Sequence, residues 1–322
     1  MAEIKERCII KGDAAYPSAL MQIRNAPKKL YVRGELPSEH LPAVAIIGAR
    51  GCSCYGREMA AWFAKELALA GVQIISGMAR GVDGTAQMAA LQAGGKSFGV
   101  LGCGTDVCYP KENYRLYEQL LEKGGVLSEH PLGTPPIAGH FPGRNRIISA
   151  LSDCVLVIEA KEKSGSLITV DFALEQGKDV YALPGRLTDA LSGGCNRLLC
   201  QGAGLAAKPD FILEMLEGKG KYPKWTGCLK KKREEDISEK KENGSDCLEK
   251  FSPEEQLVLE RMGNRAVGLQ ELYEEIRLTG QGKEMGLQKV TDILMELTVR
   301  KIILPERGNK YRRKNEIRIS TI

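Results

Sequence analysis

Between residues 43 and 217, short apolar runs alternate with segments whose apolar residues recur at helical spacing. Val44 to Ile47, Val72 to Ile75, Ser97 to Leu101, Val126 to Leu127, Val155 to Ile158 and Val180 to Leu183 read as strands, most of them apolar on both faces. Such strands sit inside a mostly parallel sheet covered by helices, so the pattern predicts an α/β, Rossmann-like domain. Residues 1–42 precede it as an N-terminal extension, with Tyr16-Pro17 and an extended Leu30 to Gly34. That stretch is too short to be a full independent domain.

Beyond residue 217 the alternation stops. Residues 218–250 are rich in Lys, Glu and Gly and read as a solvated linker. The Lys230-Lys231-Lys232-Arg233 cluster within it either touches nucleic acid or serves as plain solubilising charge. Order resumes over residues 251–315. Ser252-Pro253-Glu254-Glu255 joins a capping residue, a Pro at the first helical position and acids in the first turn. A second helix runs from Leu269 to Leu278, and a third places Leu287, Val290, Ile293, Leu294 and Leu297 at helical spacing. Ile302 to Leu304, a turn at Arg307-Gly308-Asn309 and Lys310 to Arg312 then suggest a hairpin, which completes a small C-terminal winged-helix-like domain. The exposed positions expected on its third helix, Gln288, Lys289 and Asp292, include a carboxylate, so protein contact or packing is favoured over base readout.

Composition narrows the class. A chain of 322 residues with 43% apolar content can hold one large core and one small one. A net charge of +5 permits an acidic polymer as partner without demanding one, so the placement of charge matters more than its sum. The ten cysteines form no C-x-x-C pair and there are three His, which argues against a disulfide framework and against a zinc site. Cysteines in apolar strands, such as Cys154, read as buried thiols in a reducing cytosol. No signal peptide opens the chain, and no apolar run approaches the ~18 residues of a membrane span, so the expected location is cytoplasmic.

Candidate chemistry concentrates in residues 140–171. Arg144-Asn145-Arg146 precedes Ile147 and Ile148, which pins two guanidinium forks to an ordered element suited to bidentate phosphate contact. After the strand Val155 to Ile158, Ser164-Gly165-Ser166 opens an amphipathic segment from Leu167 to Glu175, where helix-start N–H groups form an anion site. Either element alone also fits an ordinary salt-bridged Arg or a capped helix; together at the end of one strand they favour a ligand site. Three further Gly-rich turns follow strands: Gly48-Ala49-Arg50-Gly51, Ser76 to Asp83, and Gly102 to Asp106, the last leading to Tyr109-Pro110-Lys111. In an open parallel sheet these turns converge on the crevice outside the strands' carboxyl ends, with Arg50, Lys111, Arg144 and Arg146 as cations.

Enzymatic motifs are weak by comparison. The first turn departs from G-x-G-x-x-G, which weakens a dinucleotide reading. Gly94-Gly95-Lys96-Ser97 ends like a P-loop, yet Ala90 replaces its first Gly and the segment runs from helix to strand, so Lys96 reads as a helix-end cation. Asp83, Asp106, Glu129, Glu159 and Asp171 lie near strand ends without an obvious His partner, and His130 and His140 fall in Pro-rich loops. Capping or Arg-pairing carboxylates are the expectation, with no catalytic residue, metal or cofactor.

The ordered motifs GARGCSCYG, SGMARGVD, GCGTDVCYP, SEHPLG, FPGRNRIISAL, VLVIEAKEKSGSLIT and VYALPG resemble the DprA/Smf DNA-processing family, a resemblance that covers about residues 16–215. The resemblance implies a Rossmann-like core that is not an enzyme. It implies binding of single-stranded DNA, a homodimer, and the loading of RecA recombinase onto incoming strands that it also protects during natural transformation. It assigns Arg50, Lys111, Arg144, Asn145, Arg146, Lys161, Ser164, Gly165 and Ser166 to the DNA-binding pocket. Phe141 would stack on a base, with a core plug as the other reading of that ring. Two positions depart from the family pattern: Gln87 stands where a His is usual, and Ser149-Ala150 replaces Ala-Gly. A second similarity is fainter: Ser164 to Thr169 followed by Glu175 resembles the phosphate motif of lysine-decarboxylase-like nucleotide phosphoribohydrolases, without that family's Gly-Gly pair.

Overall fold

The computed structural model describes residues 6–220, 251–263, 265–280, 285–300, 302–306 and 310–313. They fall into two compact units, one within residues 1–234 and one within residues 235–322. The Lys230 to Arg233 cluster, most of the expected linker and the turn at Arg307 to Asn309 lie outside the described residues.

In the first unit, residues with no polar face to offer water make the centre of the sheet. β3 (Ala43–Ile47), β4 (Gln73–Ser76), β5 (Ser97–Leu101), β6 (Gly125–Ser128) and β7 (Cys154–Val157) are buried at every position. β8 (Asp179–Ala182) and the short β9 (Gly204–Leu205) extend one edge, and β1 (Arg7–Ile10) and β2 (Lys29–Gly34) the other. The order is β1-β2-β6-β5-β4-β3-β7-β8-β9, with the β1–β2 and β2–β6 pairs antiparallel and the remaining pairs parallel. This is the α/β, Rossmann-like architecture expected from the alternation. Residues 7–34 are a surprise relative to that expectation: Val32 and Leu30, both fully buried, carry the N-terminal extension into the main sheet.

Helices cover both faces, and a single turn, α1 (Ser18–Met21), lies between β1 and β2 in the chain. α2 (Cys54–Leu69) and α3 (Val82–Gln92) pack closely through Ala60, Ala64, Ala86 and Ala90, all fully buried, with Phe63 beneath them. α5 (His140–Ala150) and α6 (Leu167–Glu175) cover the opposite face through Ile147, Ile148, Val170 and Ala173. The chain adds β4, β5 and β6 outward from β3 on one side, then crosses to place β7 on its other side. The strand order therefore reverses at β3, and a crevice opens there at the carboxyl ends.

The second unit has helices Pro253–Met262, Leu269–Arg277 and Leu287–Val299 and an antiparallel sheet of Val267–Gly268, Lys310–Arg313 and Ile303–Glu306. Ser252 and Glu255 form a reciprocal capping box at the first helix. Val290, Ile293, Leu294 and Leu297 are buried as the spacing requires, whereas Leu287 at the helix start stays 39% exposed. Helix, short strand, two helices and a hairpin match the winged-helix plan. On the exposed face of the third helix, Lys289 pairs with Glu254 and Gln288 donates to Asp292 at 3.1 Å.

One ion pair fastens the N-terminal segment to the sheet. Arg146 on α5 grips Glu129 bidentately at 2.8 and 2.7 Å, and its Nε donates to the Asn25 carbonyl at 2.8 Å. The hydrogen bonds from Arg146 hold the Glu129 carboxyl below its usual range, against the opposing effect of burial. Arg146→Ala strands a half-buried carboxylate, and is expected to cost roughly 2–3 kcal/mol, read as a lower denaturant midpoint at constant slope. An unchanged midpoint would show that the pair holds nothing.

Candidate functional site

The ends of β3, β4, β5 and β7 enclose a cleft of about 680 Å³. Each wall has a local cause. Behind β3 the chain turns at Gly48 to Gly51 and enters α2, whose first turn is capped by Ser53 through the Gly56 N–H at 3.0 Å. Glu159, at the end of β7 and only 4% exposed, clamps that turn: its carboxylate accepts the Ser53 N–H at 2.8 Å and hydroxyl at 2.5 Å, and its carbonyl accepts the Ala49 N–H at 2.7 Å. Arg50 projects from the clamped turn and is exposed.

Behind β4, Met78 adopts a left-handed φ of 53°, an unusual state for a non-glycine residue. Gln87 holds it there. Its side chain accepts the Met78 N–H at 3.0 Å and donates to the Phe98 carbonyl at 2.9 Å, so Gln87 is fully buried and doubly bonded. Asp83 accepts the Gly77 N–H at 3.1 Å; burial raises its carboxyl, with Arg144 pulling the other way.

Arg144 occupies the floor. It is 4% exposed and donates through Nη1 to the carbonyls of Gly77, at 3.0 Å, and Val100. Burial pulls the guanidinium down to about 10, with Asp83 opposing, so it remains a cation at neutral pH. Gly77 makes this approach possible: a Cβ there would lie 2.5 Å from Nη2 of Arg144. Above the floor, the half-buried Phe141 ring has the Arg144 guanidinium 5.8 Å and the Arg50 guanidinium 5.7 Å from its centroid, and the Tyr109 ring at 5.4 Å.

The opposite wall is Lys161, Lys163, Ser164, Gly165 and Ser166 at the start of α6, where the two serine hydroxyls are 2.7 Å apart. Among the described residues no salt bridge engages Arg50, Lys161 or Lys163. The cleft thus offers a half-buried aromatic ring close to two guanidinium groups, exposed cations and a helix start, a combination that accepts phosphate and a stacked ring.

Of the residues singled out in the sequence, Arg50, Phe141, Arg144, Asn145, Lys161, Ser164, Gly165 and Ser166 line this cleft together. Lys111 and Arg146 do not: Lys111 is exposed in the turn before α4 (Tyr114–Lys123), and Arg146 is engaged by Glu129, Asn25 and Gly143. Tyr109, 37% exposed, and Lys163 were missed. The signal for Tyr109 was an aromatic residue before Pro at the end of a Gly-rich turn. His140 opens α5 instead of lying in a loop, and its ring stacks on His130 at 4.0 Å, with burial and His140 both lowering the His130 pKa. Lys96 pairs with Glu35 at the far end of the sheet. Among the described residues no three His, Cys, Asp or Glu side chains are grouped as metal ligands, and no helix is long and apolar enough to cross a membrane.

Residues 7–217 match the model of a family described as DNA recombination-mediator protein A. The chain belongs to this family. Protein Smf of Escherichia coli is 48% identical over 203 residues, covering 63% of this chain and 54% of that protein, so the chain spans about half the length of that relative. The DNA processing protein DprA of Streptococcus pneumoniae is 44% identical over 209 residues, 64% of this chain and 72% of that one. In structure, DprA from Streptococcus pneumoniae superposes with a TM-score of 0.62 at 43% identity, over 65% of this chain and 74% of the other. DNA processing protein A from Helicobacter pylori, whose structure concerns its single-stranded DNA binding mode, gives 0.60 at 32% identity, over 67% and 98%. Both superpositions agree with the Rossmann-like sheet.

The Gln87 bridge is open to a stability test. Gln87→Ala leaves the Met78 N–H and the Phe98 carbonyl unsatisfied in the core and is expected to cost about 2 kcal/mol or more. Gln87→His, which can offer one ring nitrogen as donor and the other as acceptor, should recover part of it in thermal melts. Equal stability of all three proteins would contradict the bridging role.

Proposed function

We propose that the chain binds single-stranded DNA in the cleft at the ends of β3, β4, β5 and β7, without catalysing a reaction on it. The observation that carries this reading is the Phe141 ring at the cleft, with the Arg50 and Arg144 guanidinium groups 5.7 and 5.8 Å from its centroid. An unpaired base offers a face to such a ring whatever its identity, and the flanking phosphates meet Arg50, Lys161 and Lys163. A duplex keeps its bases stacked on each other and has none to give. The carboxylates nearest the cleft support a binding role, since Glu159 is committed to Ser53 and Asp83 to the backbone of Gly77. No observation favours a phosphoribohydrolase.

Family membership supports the wider role. The protein works in the cytoplasm as a homodimer, protects incoming single strands and loads a RecA recombinase onto them during natural transformation. The second unit, whose third helix presents Gln288 tied to Asp292 and Lys289 tied to Glu254, contributes protein contacts in preference to base readout.

Competition between oligo-dT and a duplex of equal length tests the central point. Single strands should bind tighter, with log affinity falling against log salt by about 0.7 for each phosphate neutralised. Arg50→Glu should weaken single-strand binding by roughly tenfold or more and make the slope shallower by about 0.7, with its thermal midpoint unchanged. Equal or tighter duplex binding contradicts the reading.

A further inference from the structure

The carboxyl edge of the sheet continues past the cleft. Next to β5 come β6, β2 and β1, and the antiparallel direction of β2 brings its start to the same edge as the strand ends: Tyr31 faces Ser128 at the end of β6, and Lys29 faces Ile10 at the end of β1. Lys11, Arg24, Lys28 and Lys29 gather there, all exposed. Among the described residues no salt bridge engages any of the four. Asp13 is the acid among them, and its carboxylate accepts the Ile10 N–H at 2.9 Å. The neighbouring Glu129 is neutralised by Arg146.

A run of contacts joins this patch to the cleft. His140, adjacent to Phe141, stacks on His130. Glu129, adjacent to His130, holds Arg146, which in turn holds the Asn25 carbonyl beside Arg24. With strands ~4.8 Å apart, β2 lies roughly 10 Å and β1 roughly 14 Å from the end of β5, a span that a few nucleotides cover.

We propose that Lys11, Arg24, Lys28 and Lys29 form a second phosphate-binding segment that takes the backbone of a single strand as it leaves the cleft past Phe141. This rests on the cleft being a single-strand site. Exposed cations without acidic partners suit a polyanion, and their continuity with the cleft selects the polymer already bound there. Ile10 and Met21 are exposed nearby, 52% and 46%, so an anionic membrane is the competing occupant.

The test compares the full chain with its Lys28→Glu/Lys29→Glu variant on two oligo-dT lengths, about 6 nucleotides to fill the cleft and about 20 to pass beyond it. Lys123→Glu, exposed at the opposite edge before β6, is the control. The variant should bind the short strand like the parent, and the long one roughly 10- to 30-fold more weakly at ~0.1 M salt, with a slope shallower by about 1.4 for two lost phosphate contacts. Lys123→Glu should change neither. An unchanged long-strand affinity overturns the proposal. So does equal loss on both lengths, because the substitutions would then act through the cleft. Unchanged DNA binding with lost affinity for phosphatidylserine vesicles would assign the patch to membrane. Phe141→Ala with the short strand tests the cleft separately: failure to weaken that complex counts against the cleft reading, while the long-strand comparison still reports on the patch.

Discussion

A guanidinium withdrawn from water at the carboxyl edge of the sheet is the constraint on which this site depends. Removing a cation from solvent costs several kcal/mol unless geometry and hydrogen bonding compensate. For Arg144 the compensation comes from the carbonyls of Gly77 and Val100, with the buried Asp83 carboxylate supplying opposite charge. Each partner imposes its own requirement. The turn after β4 must bring a glycine against the guanidinium, Met78 must take its left-handed conformation, and Gln87 must tie that turn to β5. The cation then underlies Phe141 as a fixed part of the floor, so its electrostatic effect on the ring needs no side chain to be ordered when a ligand arrives.

The two cations near Phe141 differ in kind. Arg144 is a buried member of a hydrogen-bonded cluster, and its loss would disturb the fold as well as the site. Arg50 is exposed on a turn that Glu159 holds from the end of β7, so the turn is rigid while the charge remains available. The reversal of strand order at β3 is what lets β7 reach that turn at all. Topology, a capped helix and one buried carboxylate therefore place an exposed guanidinium at the cleft.

Much of this was legible in the chain. Strands buried on both faces announce themselves as unbroken apolar runs, so the central strands from β3 to β7 were found close to their true bounds. The Gly-rich turns and the Ser164 to Ser166 helix start declared a crevice at the strand ends. What escaped depended on partners far apart in sequence. Arg146 beside Arg144 reads as a second phosphate contact, and only the folded chain brings Glu129 and Asn25, 121 positions away, to its guanidinium. The stacking of His130 on His140 and the passage of residues 7–34 into the main sheet are equally nonlocal. Tyr109 was overlooked because a lone aromatic next to Pro has many uses, and its facing ring, Phe141, is 32 residues away.

The central claim is that a base stacks on the ring at position 141, and Phe141→Trp fluorescence measures it most directly. Titrated with oligo-dT at low salt, with the parent's two tryptophans subtracted, the variant should show strong quenching that saturates with binding and is reversed by salt. Binding without any change in the emission of the introduced indole would place the strand elsewhere and contradict the account.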